Sequence, residues 1–247
     1  MTRALWTAAA ASALAFVMPG ASLLKHVADT RDKLQLFTLK VEGSATFAGA
    51  AVKEAGPALG LPTDRSELQL DATVYLKLPT RCRIELSSAE GGKQVAEVLA
   101  NGKKRVEGPE IASLEAALGQ ACALLTQRSS TEGESKAALE RVLRAQGVKE
   151  EAPTSLARFG QGVAIVIGEP AEDKPQLWVY KDSFMPARSR FTDTQGVAWD
   201  VWMLDYSSPA TGEYFPRTIE VYRGGELQLR LTALRSDIRA TIADKLF

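Results

Sequence analysis

Along this chain the spacing of apolar residues switches from helical to alternating, back to helical, and to alternating again. "SLLKHVADTRDKLQLF" places Leu23, Leu24, Val27 and Ala28 at helical spacing, with Leu34 continuing the stripe, which predicts a short amphipathic helix. From Phe37 the period becomes two. Phe37, Leu39, Val41, Gly43, Ala45 and Phe47 alternate with polar residues, as a half-buried strand requires. Residues 49–66, rich in Ala, Gly and Pro, read as a connection. In "LQLDATVYLKLP", Leu68, Leu70, Ala72, Val74, Leu76 and Leu78 share one parity, and Cys82, Ile84 and Leu86 repeat it after the Pro79 turn. A third strand covers "KQVAEVLA", closed by Asn101-Gly102, a hairpin signal.

The middle is helical. Gly108-Pro109-Glu110 is a helix start, with proline in the first turn and an acid at the positive dipole end. Ile111, Leu114, Leu118, Cys122 and Leu125 form one stripe; Leu139, Val142 and Leu143 form another, stopped by Gly147. A short third helix is expected after Pro153. Strands then return in "GVAIVIG", "QLWVYK", "PARSRFTD", "GVAWDVWMLDY", "FPRTIEVYR" and "ELQLRLTALRSDI". Short turns between them imply an antiparallel meander. The pattern predicts an α+β domain with about nine to eleven strands, and a sheet of that width curls as its twist accumulates. The middle helices are the material to cover its concave face.

One strand resists simple alternation. In "GVAWDVWMLDY", Trp199, Val201 and Met203 lie on one parity, and Trp202, Leu204 and Tyr206 on the other. Either face could look into the concavity, so Trp199 and Trp202 are alternatives for its wall.

Composition narrows the function. The 247 residues carry 30 basic and 30 acidic side chains, so no net charge favours nucleic acid or an acidic membrane surface. "MTRALWTAAAASALAFVMPGAS" has a basic start, a short apolar run and small residues, the layout of a signal peptide over 1–22; uncleaved, it would be an anchor. The mature domain is then 23–247, exported and soluble, with a helical cover at about 109–158. His26, at the edge of that domain, is the chain's only histidine, so nucleophilic triads and histidine metal sites have no support; no metal or cofactor is implied. Asp200 between Trp199 and Trp202, with Asp205 near, resembles a glycan site, but the two acids have opposite parity. No catalytic residues are assigned. Ten of the 17 aromatic residues fall between Trp178 and Tyr222, as a plain core or as a pocket wall for an apolar guest.

"VYLKLPTRCRIEL" and the run from "LWVYKDSFMPARSRF" to "YFPRTIEVYRGGELQLRL" resemble the LolA/LolB lipoprotein-carrier superfamily, which includes periplasmic outer-membrane lipoprotein-sorting proteins. The resemblance implies an unclosed half-barrel whose helices form a lid over an apolar cavity that shelters acyl chains. It departs at Leu78, where the soluble carriers commonly have an arginine that latches the lid. Cys82 shares the parity of Ile84 and Leu86, and Cys122 lies in the lid stripe, so the two either tie lid to sheet by a disulfide or remain separate buried thiols. The expected function is non-enzymatic binding of a lipid or acylated lipoprotein, with envelope membrane proteins as further partners. The expected walls are Val74, Leu76, Leu78, Trp178, Trp199, Trp202 and Phe215. The alternative is an envelope regulatory or structural protein of the same fold that binds a protein partner.

Overall fold

The computed structural model describes residues 20–126, 134–193 and 195–247; there, the two alternating stretches join into one antiparallel sheet of 12 strands. The leader at 1–22 falls almost wholly outside the described residues. The early strands are β1 (Thr38–Ala48), β2 (Glu67–Lys77), β3 (Arg81–Ser87), β4 (Val95–Ala100) and β5 (Lys103–Glu107). The late strands are β6 (Ser155–Phe159), β7 (Gly162–Ile167), β8 (Gln176–Tyr180), β9 (Pro186–Thr192), β10 (Ala198–Leu204), β11 (Thr218–Arg223) and β12 (Glu226–Asp237). Each half is a meander, and the halves meet where β1 pairs with β12. β5 and β6 are the two free edges, so the sheet is an open one.

The helical pieces are α1 (Gly20–Lys33), α2 (Ala50–Leu59), α3 (Ala112–Ala117), a π-helical turn (Leu118–Cys122), α4 (Ala123–Leu125) and α5 (Glu134–Ala145). Their contacts prove the curvature. The π turn packs against both β4 and β10, which lie six strand spacings apart, about 29 Å on a flat sheet. A helix is only about 10–12 Å across, so the sheet must wrap around it. Bulges at Glu42/Gly43, Val221/Tyr222 and Trp178/Val179 help it bend. Gly43 has no substitute at the first: a Cβ there would meet the Thr232 carbonyl oxygen at 2.0 Å.

Three expectations are corrected, and one strand is added. Residues 49–66 are not merely a connection, because α2 buries Ala51, Val52, Ala55 and Leu59 on one face, and that face outweighs the interior Pro57. The helix expected after Pro153 is instead β6, hairpin-paired to β7 through Leu156↔Ile165 and Ala157↔Ala164. β5, "KKRVE", has almost no apolar signal; its charges suit an unprotected edge. The first lid helix begins at Ala112, beyond Glu110, and the Glu54 carboxylate of α2 accepts its first amide hydrogen at 2.7 Å.

One apolar cluster joins the inner sheet face to all these helices, including Leu23, Leu24, Phe47, Leu76, Ile84, Leu114, Leu125, Leu143, Val201 and Met203. α3 and α4 are too short to be helical alone; burial against the sheet holds them. Trp199, Val201 and Met203 enter this core, whereas Trp202 and Leu204 join a second cluster on the outer face with Phe159, Trp178 and Tyr180. There the Arg188 guanidinium lies over Trp178 (4.5 Å) and Trp202 (5.5 Å), and Trp202 meets Phe159 edge-on at 5.2 Å. The strand is apolar on both sides because the outer face is roofed by its own arginine–aromatic stack.

Candidate functional site

The site is the seam between the inner sheet face and the cover made by α3, the π turn and α4. Antiparallel register fixes which side chains face it. Cys82 opposes Leu99, Ile84 opposes Glu97 and Leu86 opposes Val95, so all six point to the inner face. Val74 and Leu76 of β2 are buried there beside Ile84 and Cys82, and Trp199 faces it from β10. Phe215, in the chain between β10 and β11, is also buried in this core. Leu78 lies just beyond β2 and is only partly buried against it. Trp178 and Trp202 are on the other face: their strand parity sends them outward, into the arginine–aromatic stack. Of the seven residues expected in the wall, Val74, Leu76, Trp199 and Phe215 are thus buried in the inner-face core, Leu78 lies at its margin, and Trp178 and Trp202 lie on the other face.

Besides the Glu54–Ala112 hydrogen bond, three attachments hold the cover down. Cys82 of β3 and Cys122 at the end of the π turn are joined by a disulfide, with Cα atoms 5.7 Å apart. Arg31 of α1, itself buried, donates from Nη2 to the Leu125 carbonyl at 2.5 Å and from Nη1 to the Tyr214 carbonyl at 3.3 Å. Lys104 of β5 pairs with Glu115 of α3. Arg31 thus satisfies a carbonyl in the last turn of a helix, where intrahelical partners run out. Burial lowers its affinity for a proton below that of an exposed arginine.

Of the buried side-chain polar atoms without a partner among the described residues, all but Glu150 Oε2 lie at or beside the seam. They are both carboxylate oxygens of Glu97, Ser113 Oγ and Arg31 Nε. Glu97 is 0 % exposed. Burial drives its pKa from 4.5 up to about 8; nearby Lys104 opposes the rise, while Glu115 and Glu110 add to it. Both features missed by sequence reasoning left a trace. Glu97 has the apolar parity of "VAEVLA", and Arg31 falls three residues after Ala28 on the apolar face of α1. A charge at a core position is the signal.

The concavity is filled by the cover's side chains: Ile111, Leu114, Leu124 and Leu125 are almost wholly buried. A cleft of 340 Å³ opens at the late-strand end of the seam, between Ala112, Glu115 and Ala116 of the cover and Phe191, Trp199 and Arg223 of the sheet. A larger one, 480 Å³, lies beyond the cover, between α1 and the β7–β8 end of the sheet, and is lined by Leu34, Tyr180, Asp182, Asp205, Tyr206 and Glu213. Asp200 is engaged by its neighbours on the outer face. Its oxygens accept from Arg188, one bond at 2.8 Å, and from Trp202 Nε1 at 2.9 Å. His26 sits on α1, its ring stacked on Phe184 at 5.2 Å.

No protein-family model matches the chain, and no curated protein matches it. Solved structures do. The fold is similar to a LolA superfamily protein from Nitrosomonas europaea, with 14% identity, a TM-score of 0.46, and 93% of this chain and 97% of that one covered. It is similar to a DUF1329 family protein from Desulfovibrio piger, with 12% identity, a TM-score of 0.48, and coverage of 92% and 95%. A domain from Vibrio parahaemolyticus assigned to outer membrane lipoprotein sorting aligns with 11% identity, a TM-score of 0.44, and coverage of 92% and 94%.

Proposed function

We propose that this protein binds an apolar guest, the acyl chain of a lipid or an acylated lipoprotein, between the inner sheet face and its helical cover. The observation that carries this reading is the seam. An apolar concavity is closed by short helical pieces, and Glu97, Ser113 and Arg31 Nε are left unpaired at or beside it. A core that only stabilises a fold pairs its buried polar atoms. Unpaired ones reduce the free energy needed to lift the cover, because each regains water when exposed. The disulfide pins the cover to β3, so it swings from the opposite, late-strand side, where the 340 Å³ cleft already lies. Each methylene buried contributes about 0.8 kcal/mol, which a long chain can set against the apolar contacts the cover gives up. Val74, Leu76, Trp199 and Phe215 form the wall, with Leu78 at its rim.

The setting proposed is the periplasm. The signal-like residues 1–22 support export, and an oxidising compartment suits the bridged cysteines. No helix among the described residues is long and apolar enough to cross a membrane. A second reading rests on the packing: with Ile111, Leu114, Leu124 and Leu125 filling the concavity, the fold serves as a protein-binding module that stays shut. Native mass spectrometry of protein purified from its host separates the two. Co-purifying lipid, or uptake of a long-chain fatty acid, supports the carrier; a clean apo mass with no uptake selects the protein-binding module.

A further inference from the structure

We propose that Glu97 is a proton-linked trigger of the cover: it keeps its proton while α3 and the π turn lie over it and gives it up when they lift away. The proposal rests on the reading of α3–α4 as a movable lid, and not on the nature of the guest.

The geometry is specific. Register puts Glu97 on the inner face between Val95 and Leu99, directly opposite Ile84 and one inner-face position from the level of the disulfide. Its side chain is fully buried, and neither oxygen has a partner. The charged groups that act on it are Lys104 of β5, Glu115 of α3 and Glu110 just before α3. Lys104 is already paired with Glu115. The charged residues of β3, Arg81, Arg83 and Glu85, point to the outer face, where Arg81 pairs with Asp244 and Arg83 with Glu85 and Glu107. From α2, Glu54 is occupied by the Ala112 amide. An ionised Glu97 beneath the closed cover therefore faces two like charges and, among the described residues, no free cation.

The sign follows from linkage. The covered carboxyl titrates at about 8 against 4.5 for an ordinary one. Below the lower value both states hold the proton, and pH does not matter. Between the two, the closed state binds one proton more than the open state. Raising the pH then shifts the balance toward opening, by up to about tenfold per unit. Above about 8 both states are ionised, and the dependence ends.

The test uses the disulfide as a reporter, because its two sulfurs are buried between the cover and β3. The reduction of Cys82–Cys122 by a phosphine is followed from about pH 5 to about pH 8, relative to an exposed model disulfide, in wild type and in Glu97→Gln. The expected result is a rate that rises with pH in wild type, by up to about tenfold per unit, and stays flat in the variant. Identical profiles overturn the proposal. Should Glu97→Gln fail to fold, the ¹³C carboxyl shift of Glu97 in wild type decides: a midpoint far above the ordinary 4.5 supports the trigger, and an ordinary midpoint removes it. Fatty-acid uptake that fails while the pH dependence persists removes the guest and leaves the trigger. Uptake with no pH dependence does the reverse.

Discussion

Breaking the disulfide is the perturbation whose size the structure sets most directly. Cys82 and Cys122 are 40 residues apart in sequence. In the chain-entropy picture, cross-linking a loop of that length removes about 13 cal/mol/K from the unfolded ensemble, or about 4 kcal/mol at 25 °C. Native contacts change little on reduction, because both sulfurs stay in the same apolar surroundings. Wild type in reductant is therefore a cleaner comparison than a substituted chain. For a protein of this size, 1 kcal/mol moves Tm by roughly 2–4 °C, so reduction should lower Tm by up to roughly 8–16 °C. The loss should be local as well as global, since the bridge is the one covalent cross-link, beyond the backbone itself, between cover and sheet. Amide exchange over residues 112–125 should accelerate more than over the central strands β1, β2 and β12, and fatty-acid uptake should become faster. Calorimetry and exchange mass spectrometry, each with and without reductant, measure both. A Tm shift below about 2 °C with unchanged exchange at 112–125 would refute the idea that the bridge restrains the cover.

Two further predictions concern the other supports. Arg31→Met removes two hydrogen bonds from a charged donor to carbonyls, each worth about 1.5–3 kcal/mol, against relief from burying a guanidinium with an unpaired Nε. A net loss of roughly 2 kcal/mol is expected by denaturant unfolding, with Arg31→Lys failing to restore it because a single ammonium nitrogen does not reproduce the two fixed Nη donors to Leu125 and Tyr214. Trp202→Ala dismantles the outer stack with Phe159, Tyr222 and Arg188 and should cost roughly 2–4 kcal/mol of stability. Fatty-acid uptake by the folded fraction should be unchanged, since Trp202 faces away from the seam.

Much of the fold was written in the period of the apolar residues. The strict alternation from Leu68 to Leu76 produced β2, and the stripe through Leu139 and Leu143 produced α5. Misreadings arose where local signals conflict with tertiary burial. α2 contains a proline and a glycine that argue against a helix, yet its alanines fit close against β1, β2 and β12. β5 and β6 are edge strands, and edges lack the two-sided apolar pattern that marks a central strand. The site was legible in part. The parity of Val74, Leu76 and Cys82 placed them on one face without a structure. Parity could not orient the late strands, so Trp178 and Trp202 were expected in the wall although they roof the opposite face. Arg31 and Glu97 were passed over because each looks like an ordinary surface charge until its position on a buried face is weighed.

The central claim is that an apolar guest enters between the inner sheet face and the cover. Photo-crosslinking with a diazirine-bearing long-chain fatty acid, mapped by peptide mass spectrometry, tests it most directly. The account predicts adducts on peptides carrying Val74 and Leu76, Trp199, Phe215 and the cover at 112–125, all increased when the disulfide is reduced. Adducts confined to the outer face around Trp178 and Tyr222, or none above background at saturating fatty acid, would contradict it.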